Sequence, residues 1–192
     1  MIPRLSPLAL SAPIRFVRAT LLVTWSVAGV ALAQEVPSPV PPQGLHAVSA
    51  PTQKPAQLRG TALDGSTVDL QALRGKVVLV VYWSTDCAVC RDLMPELRSN
   101  VAGWKDQPFA LVGVSFDARR EDALTYARLM ATLVPASMRF PTVWKSDPGF
   151  LNTLGTPDML PGAWLLDKQG HVVERFQGRI PAEAWNRIAD LL

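Results

Sequence analysis

Val77 to Trp83 (VVLVVYW) is apolar at every position and rich in β-branched residues, the pattern of a strand covered on both faces. That predicts a sheet with helices on each side. A second such run, Phe109 to Phe116 (FALVGVSF), follows the stretch from Cys87 to about Val101, which is read as the helix joining them, and two strands joined by one helix lie parallel. Beyond it, Tyr126, Met130, Leu133 and Val134 recur at helical spacing and predict a second helix with these four on one face. Ahead of the first long strand, Asp64-Gly65 is a turn signal between two short alternating segments, a small hairpin. After Pro148, GFLNTLG reads as a short helical piece closed by a glycine. Ala163–Leu166 and His171–Phe176 flank a polar turn at Gly170 as an antiparallel hairpin. Pro181 opens a last helix with Trp185, Ile188, Ala189 and Leu192 on one face. The fold class is α/β: a central mixed β-sheet flanked by helices, with an N-terminal β-hairpin extension.

The pattern changes upstream. Arg4, Arg15 and Arg18, with no acidic residue among them, precede the apolar stretch Ala19 to Ala33, which ends in the small-residue sequence Ala31-Leu32-Ala33. Residues 1–33 therefore read as a cleaved signal peptide, with export to the periplasm and a mature chain from Gln34. The apolar stretch is short of the ~20 residues that span a bilayer, so an N-terminal membrane anchor is the second choice. Residues 34–57 hold six prolines and no aromatic residue, a Pro-rich disordered linker, and residues 58–192 are left as one domain. Loss of the three signal arginines takes the 19 basic residues to 16, matching the 16 acidic ones. A formally neutral mature chain offers no electrostatic case for nucleic acid as partner.

The chain has two cysteines, Cys87 and Cys90, spaced C-x-x-C where the first strand passes into its helix. At i and i+3 of a first helical turn the sulfurs lie close enough for a disulfide in a small ring. Cys87 faces unpaired backbone N–H groups and the positive end of the helix dipole, which favour its thiolate, while Cys90 is one turn further in. One thiol can attack a disulfide in another molecule and its neighbour can then displace the mixed disulfide. A purely structural staple is the competing reading, but a loop this short constrains the unfolded chain little. Zinc normally takes four ligands, and beyond the thiols the chain offers only His46 and His171. Cu(I) accepts two thiolates, and Met94 lies one helical turn beyond Cys90, so a Cu(I)-binding metallochaperone is the alternative function. A methionine at that spacing is more often core.

Residues 58 to about 185 resemble the exported thioredoxin-like oxidoreductases of TlpA and ResA type, relatives of the AhpC/TSA redoxins. The matching segments are DGSTVDLQALRGKVVLVVYWS, the C-x-x-C pair, Pro95, LVGVSFD and LPGAWLLDKQGHVVERFQG. The resemblance implies a thiol-disulfide oxidoreductase of the bacterial envelope in which Cys87 attacks and Cys90 resolves, with the Cys87–Cys90 disulfide in place of any added cofactor and no metal. It implies that Pro95 kinks the first helix and that Pro161 is a cis-proline facing the disulfide. The backbone of Leu160 would then pair with an extended segment of the substrate, and Trp83, the aromatic at the strand end, would complete the substrate-binding face with Leu160 and Pro161 and shield the disulfide, plain core packing being the competing reading. The implied partners are a client protein carrying a disulfide and a membrane electron donor.

Departures from the family bear on direction and proton handling. The segment Asp86-Cys87-Ala88-Val89-Cys90 lacks the tryptophan often found before the first cysteine. The Asp86 charge opposes thiolate formation at Cys87, which stabilises the disulfide and points to a reductase. Leu93 and Val81 stand where relatives carry acids that handle protons, with Asp92 and Glu96 as candidate replacements. Peroxide-reducing relatives place Thr-x-x before the attacking cysteine; Thr85 is one residue off that position, which weakens a peroxidase reading.

Overall fold

Residues 54–192 are described by a computed structural model; the expected signal peptide and most of the expected linker, with His46, lie outside the described residues. The first strands, β1 (Leu58–Thr61) and β2 (Thr67–Asp69), pair antiparallel across a turn where Gly65 has φ +87°, a conformation that glycine adopts without a Cβ penalty. Packing is already seen two residues ahead of β1. Ala56 is buried and its N–H donates to the Gly170 carbonyl at 2.9 Å.

The apolar run Val77–Trp83 forms β3, buried at all seven positions. Helix α1 (Ala88–Gly103) leads to β4 (Phe109–Ser115), parallel to β3 from Val77 opposite Phe109 to Trp83 opposite Ser115. Next come α2 (Arg120–Leu133), the edge strand β5 (Thr142–Trp144) and a two-residue strand β6 (Leu151–Asn152). The hairpin β7 (Gly162–Leu166) and β8 (Val172–Gln177) follows, then α3 (Ala182–Leu191). The main sheet has the order β5-β4-β3-β7-β8, with β7 antiparallel to β3, so it is the mixed sheet expected.

The helices do not lie on each side. Alternate residues of β3, Val77, Leu79, Val81 and Trp83, meet Cys90, Leu93, Met94 and Leu97 of α1 and Ala184 and Ile188 of α3. α2 joins that face through Tyr126. On the other face Val78, Val80 and Tyr82 pack against Leu58, Ala62, Val68, Leu70 and Leu154, under a second sheet of order β2-β1-β6. A small sheet thus takes the place of the second helical layer.

The same arrangement explains why GFLNTLG is not helical. Leu58 pairs with Asn152, Gln57 N–H donates to Thr153 Oγ1 at 2.9 Å, and Asn152 Oδ1 accepts the Leu154 N–H at 3.0 Å. Asn and Thr are weak helix formers, and pairing with β1 outweighs the local pattern. Two further expectations shift: Leu133 of α2 is 67% exposed, and in α3 it is Ala184 rather than Ala189 that faces inward.

Burial of Tyr82 gives a pH prediction. Desolvation raises its phenol from 10.0 to about 12, a hydrogen bond from Asn152 opposing only in part. Below about pH 10 both folded and unfolded chains keep this proton. Between 10 and 12 the unfolded chain releases it while the native state retains it, so stability falls as pH rises through that window, by roughly 2–3 kcal/mol in all. Urea midpoints should fall less steeply over this range in Tyr82→Phe than in the wild type; parallel curves would show that Tyr82 is not the group responsible.

Candidate active site

β3 ends at Trp83 and α1 begins at Ala88, so four residues turn the chain from sheet to helix. Cys87 is the N-cap, with extended backbone (φ −80°, ψ 106°), and its Sγ accepts the Cys90 N–H at 3.1 Å. That bond satisfies one of the donors a helix start leaves open, and it places a sulfur where negative charge is favoured. Cys87 and Cys90 form a disulfide with Cα atoms 5.2 Å apart. The two sulfurs belong to unequal surroundings: Cys90 is 0% exposed within the core, whereas Cys87 is half-buried. A partner can reach one end of the bond and not the other.

The loop before Cys87 is held by a carboxylate that the sequence reading passed over. Asp117, two residues past β4, is 4% exposed and accepts hydrogen bonds from the Thr85 N–H (2.8 Å), the Thr85 hydroxyl (2.5 Å) and the Ser115 hydroxyl (2.6 Å). The Trp144 indole N–H in turn donates to the Asp117 carbonyl at 2.8 Å. Arg91, from the first turn of α1, donates to the Thr85 carbonyl at 2.6 Å, and the Ser84 hydroxyl donates to the exposed Asp86 carboxylate. Thr85 is therefore fixed by backbone and side chain just upstream of the reactive sulfur. The signal for Asp117 was present in the parallel pairing, because strands that align Trp83 with Ser115 bring residues 85 and 117 out of the sheet side by side.

Leu160-Pro161 is a cis peptide. Pro161 is buried and its carbonyl accepts the Gly178 N–H at 2.7 Å, while Leu160 is half-buried and packs against both cores. Neither the N–H nor the carbonyl of Leu160 bonds to another backbone group among the described residues. Trp83 differs from its expected role on a substrate face. It is 2% exposed, its ring lies 5.0 Å from that of Tyr126, and its Nε1 is buried with no hydrogen-bond partner. It backs the disulfide from inside instead of meeting a visiting chain.

The other candidates are engaged elsewhere, exposed, or packed in the core. Glu96 accepts the Trp185 indole N–H and ties α1 to α3, and Asp92 is exposed. Met94 is packed in the core, Pro95 lies inside α1 where it removes one helix N–H donor, and His171 sits in its turn 3.4 Å from Asp167.

Comparison with known proteins agrees with this geometry. Residues 51–175 match the AhpC/TSA family. The thiol-disulfide oxidoreductase ResA of Bacillus thuringiensis (strain Al Hakam) is 26% identical over 118 residues, covering 62% of this chain and 64% of the relative, a little under two thirds of its length. Among solved structures, a thiol-disulfide oxidoreductase from Bacteroides fragilis superposes with TM-score 0.55 at 21% identity, covering 72% of this chain and 100% of that one. A DsbF homologue from Corynebacterium diphtheriae gives TM-score 0.55 at 20% identity, covering 72% and 85%. These likenesses establish the thioredoxin-like fold.

Proposed function

The chain belongs to the AhpC/TSA family, and from that premise we propose that it is an exported thiol-disulfide oxidoreductase that reduces disulfides in partner proteins of the periplasm. The observation that carries the reading is the inequality of the bonded pair: Cys87 half-buried at a helix N-cap, Cys90 enclosed. In the reduced protein the Cys87 thiolate attacks one sulfur of a client disulfide. The client S–S bond breaks, a Cys87–client bond forms and one client thiolate leaves. Cys90, as thiolate, then attacks Cys87 Sγ, closing the internal disulfide and releasing the second client thiol with the electron pair. The open N–H and carbonyl of Leu160 suit an extended client segment, which would pair there as an added strand.

The working state must be regenerated. An oxidising compartment favours the disulfide, so a membrane electron donor would have to return two electrons to the Cys87–Cys90 bond. Export rests on the charged, apolar and small-residue pattern of residues 1–33. Reduction rather than oxidation rests on two carboxylates, Asp86 beside Cys87 and Asp117 bonded to Thr85, which oppose the gain from the helix N-terminus at Cys87. A peroxidase is disfavoured, because the Thr85 hydroxyl is already committed to Asp117.

Equilibration with glutathione buffers tests the direction. The potential should fall below about −200 mV, in the range of reducing thioredoxin relatives; a value near that of the oxidant DsbA, about −120 mV, would reverse it. A pair that neither glutathione nor dithiothreitol reduces would end the oxidoreductase reading itself.

A further inference from the structure

On the α2 side of α1 the chain leaves a cavity of about 410 Å³, bounded also by the turn at Ala136–Met138 and the β1–β2 turn. Protein interiors are close-packed, so a space of this size under a helix calls for an occupant or a cause. The cause is local: of α2 only Ala123 is fully buried, and Leu129 and Leu133 turn outward, so the helix stands off α1. Met94, Tyr126, Met130 and Phe140 give the cavity an apolar, partly aromatic wall. The two methionines make that wall adaptable in shape.

The charges in the lining are unbalanced. Arg98 and Arg139 both border the cavity, and neither has a carboxylate in salt-bridge range among the described residues, Arg139 acting on Asp64 only as the least of the influences that lower its carboxyl. Arg98 is aimed by donating from Nη2 to the Tyr126 hydroxyl at 2.9 Å, which leaves other donors of its planar fork free. The acid in the lining, Asp64, is engaged by the N–H and hydroxyl of Ser66 at 2.9 and 2.6 Å, and the side-chain bond holds its carboxyl below its ordinary value. Two guanidinium groups against one occupied carboxylate leave the lining with one net positive charge. Apolar walls with a few convergent polar groups are the usual make-up of a small-molecule site.

We propose that this cavity binds a small amphipathic carboxylate, its aromatic or branched apolar body between Met94, Tyr126 and Met130 and its carboxylate held by Arg98 and Arg139. The site is separate from the sulfur chemistry and stands or falls independently of it. It shares Trp83 with the wall behind the disulfide, which makes the Trp83 indole N–H a built-in reporter.

The oxidised full chain, labelled at tryptophan and with the Trp83 resonance assigned through Trp83→Phe, is titrated with 3-phenylpropionate and with 3-phenylpropylamine. A saturable shift of the Trp83 N–H by the carboxylate and not the amine is expected. Arg139→Gln, at an exposed position, should weaken binding about tenfold, the loss of one charge-assisted contact. Ala127→Leu, which extends a side chain into the space, should abolish binding while the circular dichroism stays native. No saturable shift with the carboxylate, equal binding of the amine, or undiminished binding by folded Ala127→Leu would each overturn the proposal.

Discussion

With serine in place of Cys90, the protein should accumulate in cells as conjugates joined through Cys87, resolved by reducing agent into this chain and its clients. Serine cannot displace the mixed disulfide, so the first step proceeds and the second stops. With serine in place of Cys87, conjugates should vanish, because Cys90 is enclosed and no client sulfur can reach it. Both variants should remain folded. Closing a ring this small is worth roughly 2 kcal/mol in chain entropy, well below what a long loop provides. Non-reducing electrophoresis of trapped cells reads the result. Equal trapping by the two variants would contradict the assignment of attacking and resolving sulfur.

Removal of the Asp117 carboxylate should cost most among changes that leave the sulfurs intact. Asp117→Ala strands the Thr85 N–H, the Thr85 hydroxyl and the Ser115 hydroxyl, and the loss should be about 2–4 kcal/mol, read as a lower urea midpoint. Asp117→Asn can still accept from the Thr85 N–H and should recover most of that stability. It also removes a negative charge near Cys87, so the Cys87 thiol, measured in the Cys90→Ser background, should titrate at lower pH than with aspartate present. A purely structural residue would move stability alone. Unchanged Cys87 titration in Asp117→Asn would confine Asp117 to holding the loop.

The long apolar runs at residues 77 and 109 carried enough information for β3, β4 and their parallel pairing, because a strand buried on both faces admits few polar positions. The C-x-x-C pair lay at a helix start as expected, and Pro161 matched the cis-proline that the family resemblance implied. What covers each face of the sheet was not legible. Continuous hydrophobicity in β3 says that both sides are buried but not by what, and here one cover is a sheet assembled from the β1–β2 hairpin and the distant two-residue strand β6. Strands as short as β5 and β6 have too few residues to show a period. The helical spacing of Tyr126, Met130 and Leu133 was genuine, yet Leu133, the last residue of α2, lies exposed. Asp117 was missed because a lone acid after a strand has no pattern of its own, and its meaning comes only from the strand beside it.

The pairing of Leu58 and Arg59 with Asn152 and Leu151 has a consequence for how the chain is made. A polypeptide that emerges amino end first holds the start of this domain in the open while most of the remainder is still to come. Its first strand has only a hairpin partner until Leu151 and Asn152 arrive, and then gains its second edge late. During that interval it is exposed to cleavage and to pairing with other chains, so the waiting time is set by the pace of synthesis or translocation through some ninety residues more than by the strand's own affinity.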